Sequence, residues 1–404
     1  MPHRVVIVGA GFGGLTCARK LAGKPGVDVT IIDRNPYQVF SPLLYQVSTG
    51  GLPEDDIAYP VRAAVPEATF RRGDVVRVDP IAKIVRLADG GIVPWDELVF
   101  AVGSTGTTFG IPGVAENSLQ MKTIQEARVI RRRLLQTYED VEFGRLPKES
   151  LRVVVVGGGP TGVEVSGAVA ELQRAIRHEF PNLYQLASVT LVEAGPRLVP
   201  SFSEKSSANA LRQLESLGAT VKLSTAVDRM YPGDVHLANG EVLTAGTIVW
   251  AAGVAAPAQW SDLGVVDRAN RLEVSPTLQL DESIWVIGDI AHVEGPNGRP
   301  LPMVASVAMQ MGRYVAKAIV SRIHGDELQP FRYKDKGQMA TIGRRRAVVE
   351  LPIGLRMKGT LAWLAWLGLH VFYLAGGRNR ISVIADWFWN YLAWGVGPRR
   401  TVID

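Results

Sequence analysis

The hydrophobic pattern of this chain repeats one arrangement twice. Near the start, Val5-Val6-Ile7-Val8 is a β-branched run of the kind buried on both faces of a parallel sheet. It leads into Gly9-Ala10-Gly11-Phe12-Gly13-Gly14, then a helical stretch over residues 15–21, then a strand over 29–32 that ends in Asp33. Mid-chain the order returns. Val153-Val154-Val155-Val156 runs into Gly157-Gly158-Gly159-Pro160-Thr161-Gly162, residues 163–176 read as helix, and Val189-Thr190-Leu191-Val192 ends in Glu193. Strand, glycine turn, helix, strand, acid is the dinucleotide-binding fingerprint.

Each part of the fingerprint has a physical task. The glycines let the backbone turn tightly and approach a pyrophosphate, which sits on the helix N-terminus. The acid, about 20 residues on, accepts hydrogen bonds from ribose hydroxyls. A lone glycine triplet is weak evidence and is also met in ordinary doubly wound domains. Here the strand, helix and acid agree with it at both places.

Three further apolar strands run into glycine: 98–102 into Gly103-Ser104, 248–252 into Gly253-Val254, and 283–287 into Gly288-Asp289. Such junctions let a backbone pass close to a cofactor. The last resembles the motif of two-dinucleotide flavoproteins whose aspartate binds the flavin ribityl chain. That resemblance implies FAD on the N-terminal fold, through Gly9, Gly11, Gly13, Gly14, Asp33, Gly103 and Asp289. It implies NADH on the inserted middle fold, through Gly157, Gly159, Gly162, Glu193 and Gly253. The carboxylate of Glu193 favours the free 2′-hydroxyl of NADH over the 2′-phosphate of NADPH, although Arg197 stands close in sequence.

Composition narrows the chemistry. With 404 residues, 47% hydrophobic and 21% charged, the chain is globular and long enough for two or three domains. Its one cysteine, Cys17, allows no internal disulfide, no CxxC redox pair and no cysteine metal site. Disulfide reduction and cysteine-based sulfide oxidation are thereby excluded, which leaves oxygen, a quinone or a protein carrier as electron acceptor. No secretory signal is visible, so the chain reads as intracellular. The net charge of +5 is modest, and no metal or nucleic-acid motif is present.

Taken together, these features resemble the type II NADH:quinone oxidoreductases, the single-subunit, non-proton-pumping kind, over essentially the whole chain. The carriers are Phe40-Ser41-Pro42-Leu43-Leu44-Tyr45-Gln46-Val47, residues 157–164, Val192-Glu193-Ala194-Gly195-Pro196, residues 250–254, and Ala305-Ser306-Val307-Ala308-Met309-Gln310-Met311-Gly312. The last is similar to the family's quinone-site segment, A-Q-x-A-x-Q-x-G. Gln310 matches its second glutamine, and Ser306 replaces the first. The resemblance also implies FAD contacts at Arg34, Asn35 and Val75, with Ser306 and Val307 near the ring. Glu164 lies at the turn-to-helix step. A carboxyl there suits orientation of nicotinamide or quinone, or a proton relay; the plainer reading is a first-turn glutamate favoured by the helix dipole. The resemblance favours the former, and Glu164 and Gln310 are the expected catalytic residues.

From residue 359 the pattern changes again. Residues 359–376 carry no formal charge, near the length at which a membrane span becomes a candidate. After Arg378 and Arg380 comes a stretch with Trp387, Phe388, Trp389, Tyr391 and Trp394, then Arg399 and Arg400. Interfacial aromatics and flanking arginines suggest two helices lying in one leaflet rather than a span. A dimerisation arm or a lid on a soluble core is the alternative.

The expected fold is α/β: two Rossmann-like domains, the NADH domain inserted into the FAD domain, plus a C-terminal membrane-associated helical arm. The expected boundaries are 1–114 and 254–325 for FAD, 115–253 for NADH, and 326–404 for the arm. The expected function is FAD-dependent two-electron transfer from NADH to a membrane quinone, ubiquinone or menaquinone, without proton pumping. The expected setting is a homodimer on the bilayer surface, at the cytoplasmic face of the inner membrane. The rivals are a soluble flavin reductase serving a protein carrier and a low-turnover NADH-sensing flavoprotein.

Overall fold

The computed structural model describes residues 2–296 and 298–392. Two compact units emerge. The first comprises Met1–Val39, Ala58–Thr105 and Val254–Asp335; the second comprises Phe40–Ile57, Gly106–Gly253 and Lys336–Asp404. The chain thus leaves the first unit at 105/106 and returns at 253/254, where the sequence set the first change at 114/115. Residues 40–57 and the C-terminal region group with the insert, whereas the sequence reading joined the former to the first segment and set the latter apart.

The first unit is built on a five-stranded sheet in the order Ile284–Val286, Glu97–Phe100, His3–Val8, Val27–Asp33, Thr69–Arg72. All its pairings are parallel, and Val8 stands level with both Ile32 and Phe100. Val5, Val6, Ile7 and Val8 are buried, as a strand covered on both faces requires. The level ends bring Gly9, Asp33, Ala101 and Ile287 to the carboxyl edge of the sheet, the edge at which such sheets bind ligands. The helices Phe12–Leu21 and Ala305–Ile323 pack on one another. Gly312 makes that contact possible: a Cβ there would lie 2.3 Å from the Gly13 carbonyl oxygen.

The second unit repeats the plan with a parallel sheet in the order Leu119–Gln120, Thr247–Trp250, Arg152–Val156, Ser188–Val192, Thr220–Lys222. The helix expected over 163–176 spans Pro160–Ala175, with Pro160 at its first position, where proline's missing N–H costs nothing. Downstream lies an antiparallel sheet of Gln338–Gly343, Arg346–Glu350 and Arg356–Lys358. The apolar stretch at 359–376 holds a first arm helix, Gly359–Tyr373, and ends in the turn at Gly376, φ +83°, before a second helix, Gly377–Leu392.

The first arm helix is apolar all round, with two destinations. Ala362, Trp363 and Trp366 are buried, and the first two join Ala347 and Val349 in a small core. Leu361, Leu364 and Phe372 on the opposite side are exposed. One face of this element is therefore protein interior, a division the uncharged run concealed. Among the described residues no helix is long and apolar enough to cross a membrane. Trp394, Arg399 and Arg400 lie outside the described residues.

Candidate functional site

In the first unit, Gly9 has φ +103°, and a Cβ there would stand 2.3 Å from the Ala101 carbonyl oxygen. A Cβ on Gly14 would meet the Gly9 carbonyl oxygen at 1.9 Å, so the helix can start close against the turn. Gly11 has open space instead, and as N-cap it offers no side-chain hydrogen bond to the helix behind it. The first-turn N–H groups are left to a ligand, and no acidic residue stands among them. This is the cradle a pyrophosphate needs, and it fits FAD.

Asp33 holds the turn from the next strand. Its Oδ2 accepts the Ala10 N–H at 2.7 Å and its Oδ1 the Asn35 N–H at 2.8 Å. Burial raises the Asp33 pKa, and these two donors oppose the rise. Arg34 pairs with Asp74 at 3.1 Å, while its carbonyl accepts the Arg72 Nε at 3.1 Å. Val75 begins the strand Val75–Asp79 and packs on the main core. Gly103 and Gly288 have φ +74° and +77° and flank a direct link: the Ser104 hydroxyl donates to Asp289 Oδ2 at 2.6 Å.

Residues 305–312 form the first turns of the Ala305–Ile323 helix, with Val307 buried. Ser306 Oγ lies 3.2 Å from the Tyr333 hydroxyl. Gln310 is committed within the unit. Its Nε2 donates to the carbonyls of Ser306 at 3.2 Å and Lys334 at 2.9 Å, and its Oε1 accepts the Lys334 N–H at 3.0 Å. This amide staples the segment around 334 to the helix, a contact that leaves no mark on the local sequence pattern.

The second unit repeats the cradle. Gly157 has φ +112°, and its Cβ would stand 2.6 Å from the Ala251 carbonyl oxygen; Gly162 would meet the Gly157 oxygen at 1.8 Å; Gly159 is open. Glu193 matches Asp33 residue for residue: Oε2 accepts the Gly158 N–H at 2.5 Å and Oε1 the Gly195 N–H at 2.5 Å. Arg197 turns away to donate to the Pro200 carbonyl at 2.8 Å. At Gly253 a Cβ would reach within 2.5 Å of the Phe109 ring, and the Gly253 carbonyl accepts the Thr107 N–H at 3.2 Å.

Glu164 sits on the Pro160–Ala175 helix against the strand Gln338–Gly343, and its carboxylate accepts the Thr341 backbone N–H. Desolvation outweighs that hydrogen bond and pushes its pKa up to about 8. Gly167, one turn on, lets the strand approach, since a Cβ there would overlap the Ile342 carbonyl oxygen at 1.7 Å. Desolvation thus favours the protonated form of this carboxyl.

The 40–47 segment proves to be a mooring. Phe40 stands edge-on to His370, and Tyr45 edge-on to Trp366. Trp387 Nε1 donates to Gln46 Oε1 at 2.7 Å, and Asn390 Nδ2 to the Gly51 carbonyl at 2.9 Å. The sequence signalled this motif only through its resemblance.

The family described as Pyridine nucleotide-disulphide oxidoreductase matches residues 3–312, and the one described as NDH2 C-terminal domain matches residues 336–393. A type II NADH:quinone oxidoreductase of Mycobacterium tuberculosis is 35% identical, over 97% of this chain and 88% of the relative. Its counterpart in Haemophilus influenzae is 32% identical, over 91% and 92%. The structure of NDH2 from Plasmodium falciparum in complex with NADH superposes with a TM-score of 0.90 at 21% identity, covering 97% of this chain and 98% of the other. A sulfide:quinone oxidoreductase of Aquifex aeolicus shares the fold at a TM-score of 0.75 and 21% identity, covering 97% and 94%. Here Cys17 is fully buried with its thiol pKa raised by desolvation, so sulfur chemistry has no protein thiol to use.

Proposed function

We propose a division of labour between the two nucleotide folds of this chain, which belongs to the type II NADH:quinone oxidoreductase family. It is a flavoenzyme that uses FAD and NADH and delivers electrons to quinone. When bound, FAD supplies the two-electron step, taking hydride from NADH and reducing quinone. The first unit's Gly9–Gly14 turn, Asp33, Ser104 and Asp289 would hold FAD; Arg34, Asn35 and Val75 would contact it, with Ser306 and Val307 near the ring. The second unit's Gly157, Gly159 and Gly162 would hold the NADH pyrophosphate, Glu193 its ribose, and Gly253 would let the backbone pass close to it. Gln310 would shape the quinone site by fixing Lys334 beside the helix.

Glu164 is assigned the proton side of the reaction. Quinone reduction consumes two protons, and a carboxyl with pKa about 8 carries one at neutral pH. Its place against the Gln338–Gly343 strand, where desolvation favours the protonated form over the opposing Thr341 N–H, supports the role. Ubiquinone or menaquinone is the acceptor, and the exposed apolar face of the arm lies on the bilayer at the cytoplasmic side of the inner membrane.

The test is anaerobic: reduce the enzyme with NADH, then follow flavin reoxidation by ubiquinone and menaquinone analogues at several pH values. Wild-type reoxidation should fall as pH rises through about 8, where Glu164 loses its proton. Glu164→Gln should slow the step roughly a hundredfold and flatten the profile, with FAD content unchanged. Wild-type reoxidation in the variant would remove Glu164 from the mechanism.

A further inference from the structure

A cavity of about 800 Å³ opens on the second unit, where the tip of the 338–350 hairpin meets the start of the first arm helix. Five cationic side chains line it: Arg174, Arg344, Arg345, Arg346 and Lys358. Its one carboxylate, Glu171, already accepts the Arg344 backbone N–H at 2.6 Å. Two of the guanidinium groups are steadied by neutral acceptors: Arg174 donates to the Ser216 carbonyl at 3.2 Å, and Arg346 to the Ser216 hydroxyl at 3.2 Å. Their charge is therefore not cancelled by the bonds that hold them.

The first arm helix adds to the same field. Gly359 lines the cavity; the helix N-cap, Lys358, makes no side-chain capping bond, and the first turn holds no acid. Unsatisfied N–H groups and the positive end of the helix dipole attract an anion. Guanidinium forks match phosphate oxygens in geometry. A phosphate group is the shared chemistry that such a lining suits.

The surface next to the cavity chooses the source. The helix that starts there exposes Leu361, Leu364 and Phe372 along one face, Leu361 at 71% and Phe372 at 68%. An anionic head with an apolar tail matches both the cavity and the face; a soluble phosphate compound matches only the cavity. We propose that this cavity binds the phosphate headgroup of an anionic phospholipid, whose acyl chains run along the exposed face of the first arm helix. The site rests on the reading that the arm lies on a bilayer, and it adds a lipid preference to it.

Vesicle flotation of the full-length holoenzyme tests this, using phosphatidylcholine alone and phosphatidylcholine with phosphatidylglycerol. Wild type should prefer the anionic vesicles. Arg345→Gln with Lys358→Gln should lower that preference about thirtyfold, at about one cation's worth of surface attraction each, and leave binding to neutral vesicles intact. Arg131→Gln with Arg132→Gln removes the same charge from the helix Ile124–Glu142, outside the cavity, and should keep the preference. Unchanged melting temperatures check folding in both. A preference retained by the cavity variant, or lost equally by the control, overturns the site. Inorganic phosphate should compete with the anionic vesicles; saturable phosphate binding without any vesicle preference overturns the lipid source. Binding to neutral vesicles with no gain from phosphatidylglycerol overturns this site alone, whereas no binding to any vesicle overturns the membrane reading with it.

Discussion

Asp33 and Glu193 end equivalent strands and spend their oxygens in the same way, each on the second residue of its glycine turn and on the residue two places past itself. Spacing predicts the acid because the sheet register fixes where it falls. Gln310 shows the opposite case. Its partner Lys334 lies beyond the end of its own helix, and no local periodicity encodes a hydrogen bond to a distant backbone group. The same holds for Glu164, whose partner Thr341 belongs to a strand far along the chain. The staple at Gln310 makes a distinct prediction. Gln310→Leu removes three hydrogen bonds and should cost roughly 1–3 kcal/mol of local stability. Hydrogen exchange of the Lys334 amide reads that loss directly. Unchanged protection together with a raised quinone KM would show that the amide serves the quinone alone. Glu164 carries a stability signature too. Folding raises its pKa from an ordinary 4.5 to about 8, so its contribution is fully present below 4.5 and drains away as pH climbs through 8.

At the scale of elements, strands and glycine turns were legible because burial on two faces and positive φ both leave marks on residue type. The arm was legible only as composition. A helix apolar all round conceals which face meets protein, and the structure answers with Trp363 and Trp366 inward and Leu361 and Phe372 outward. His370 sits at the seam. Its ring stacks on Trp366 at 3.9 Å between centroids, and its Nδ1 bonds the Trp366 carbonyl at 2.6 Å. Desolvation lowers its pKa to about 4 against that hydrogen bond. Folding therefore favours the neutral ring. The stability this confers is intact above about 6.5, the ordinary value, and is lost as pH falls from there through 4. Acid should loosen the helices from the 40–47 mooring before it unfolds the sheets. Amide exchange at 362–370 followed between pH 7 and 5 would report it, and His370→Phe should flatten the response; an equally steep response in that variant would assign the acid sensitivity elsewhere.

For the molecule as a whole, the question is what covers the apolar face of the arm. Ile381, Ile384, Phe388 and Trp389 on the second helix are exposed, as are Leu361, Leu364 and Phe372 on the first. Seven large apolar side chains left in water on two successive helices mark an interaction surface. Two occupants satisfy it, a bilayer or a second copy of the chain. Removing residues 359–404 outright does not decide between them, because it strips Trp363 and Ala362 from the core against Ala347 and Val349 and destabilises the sheet beneath. Polar substitution of the outward side chains avoids that. Leu364→Gln, Phe372→Gln and Phe388→Gln together leave Trp363, Trp366 and Trp387 in place. Each large side chain kept from hydrocarbon forfeits roughly 1.5–3 kcal/mol, so the triple variant should leave neutral vesicles almost completely. Oxidation of NADH with a water-soluble quinone should persist, while turnover with a long-tailed quinone in vesicles should collapse, because that substrate is dissolved in the phase the protein has left. A variant that still floats with vesicles but sediments as a monomer, where wild type sediments as a dimer, would give the face to the second copy instead.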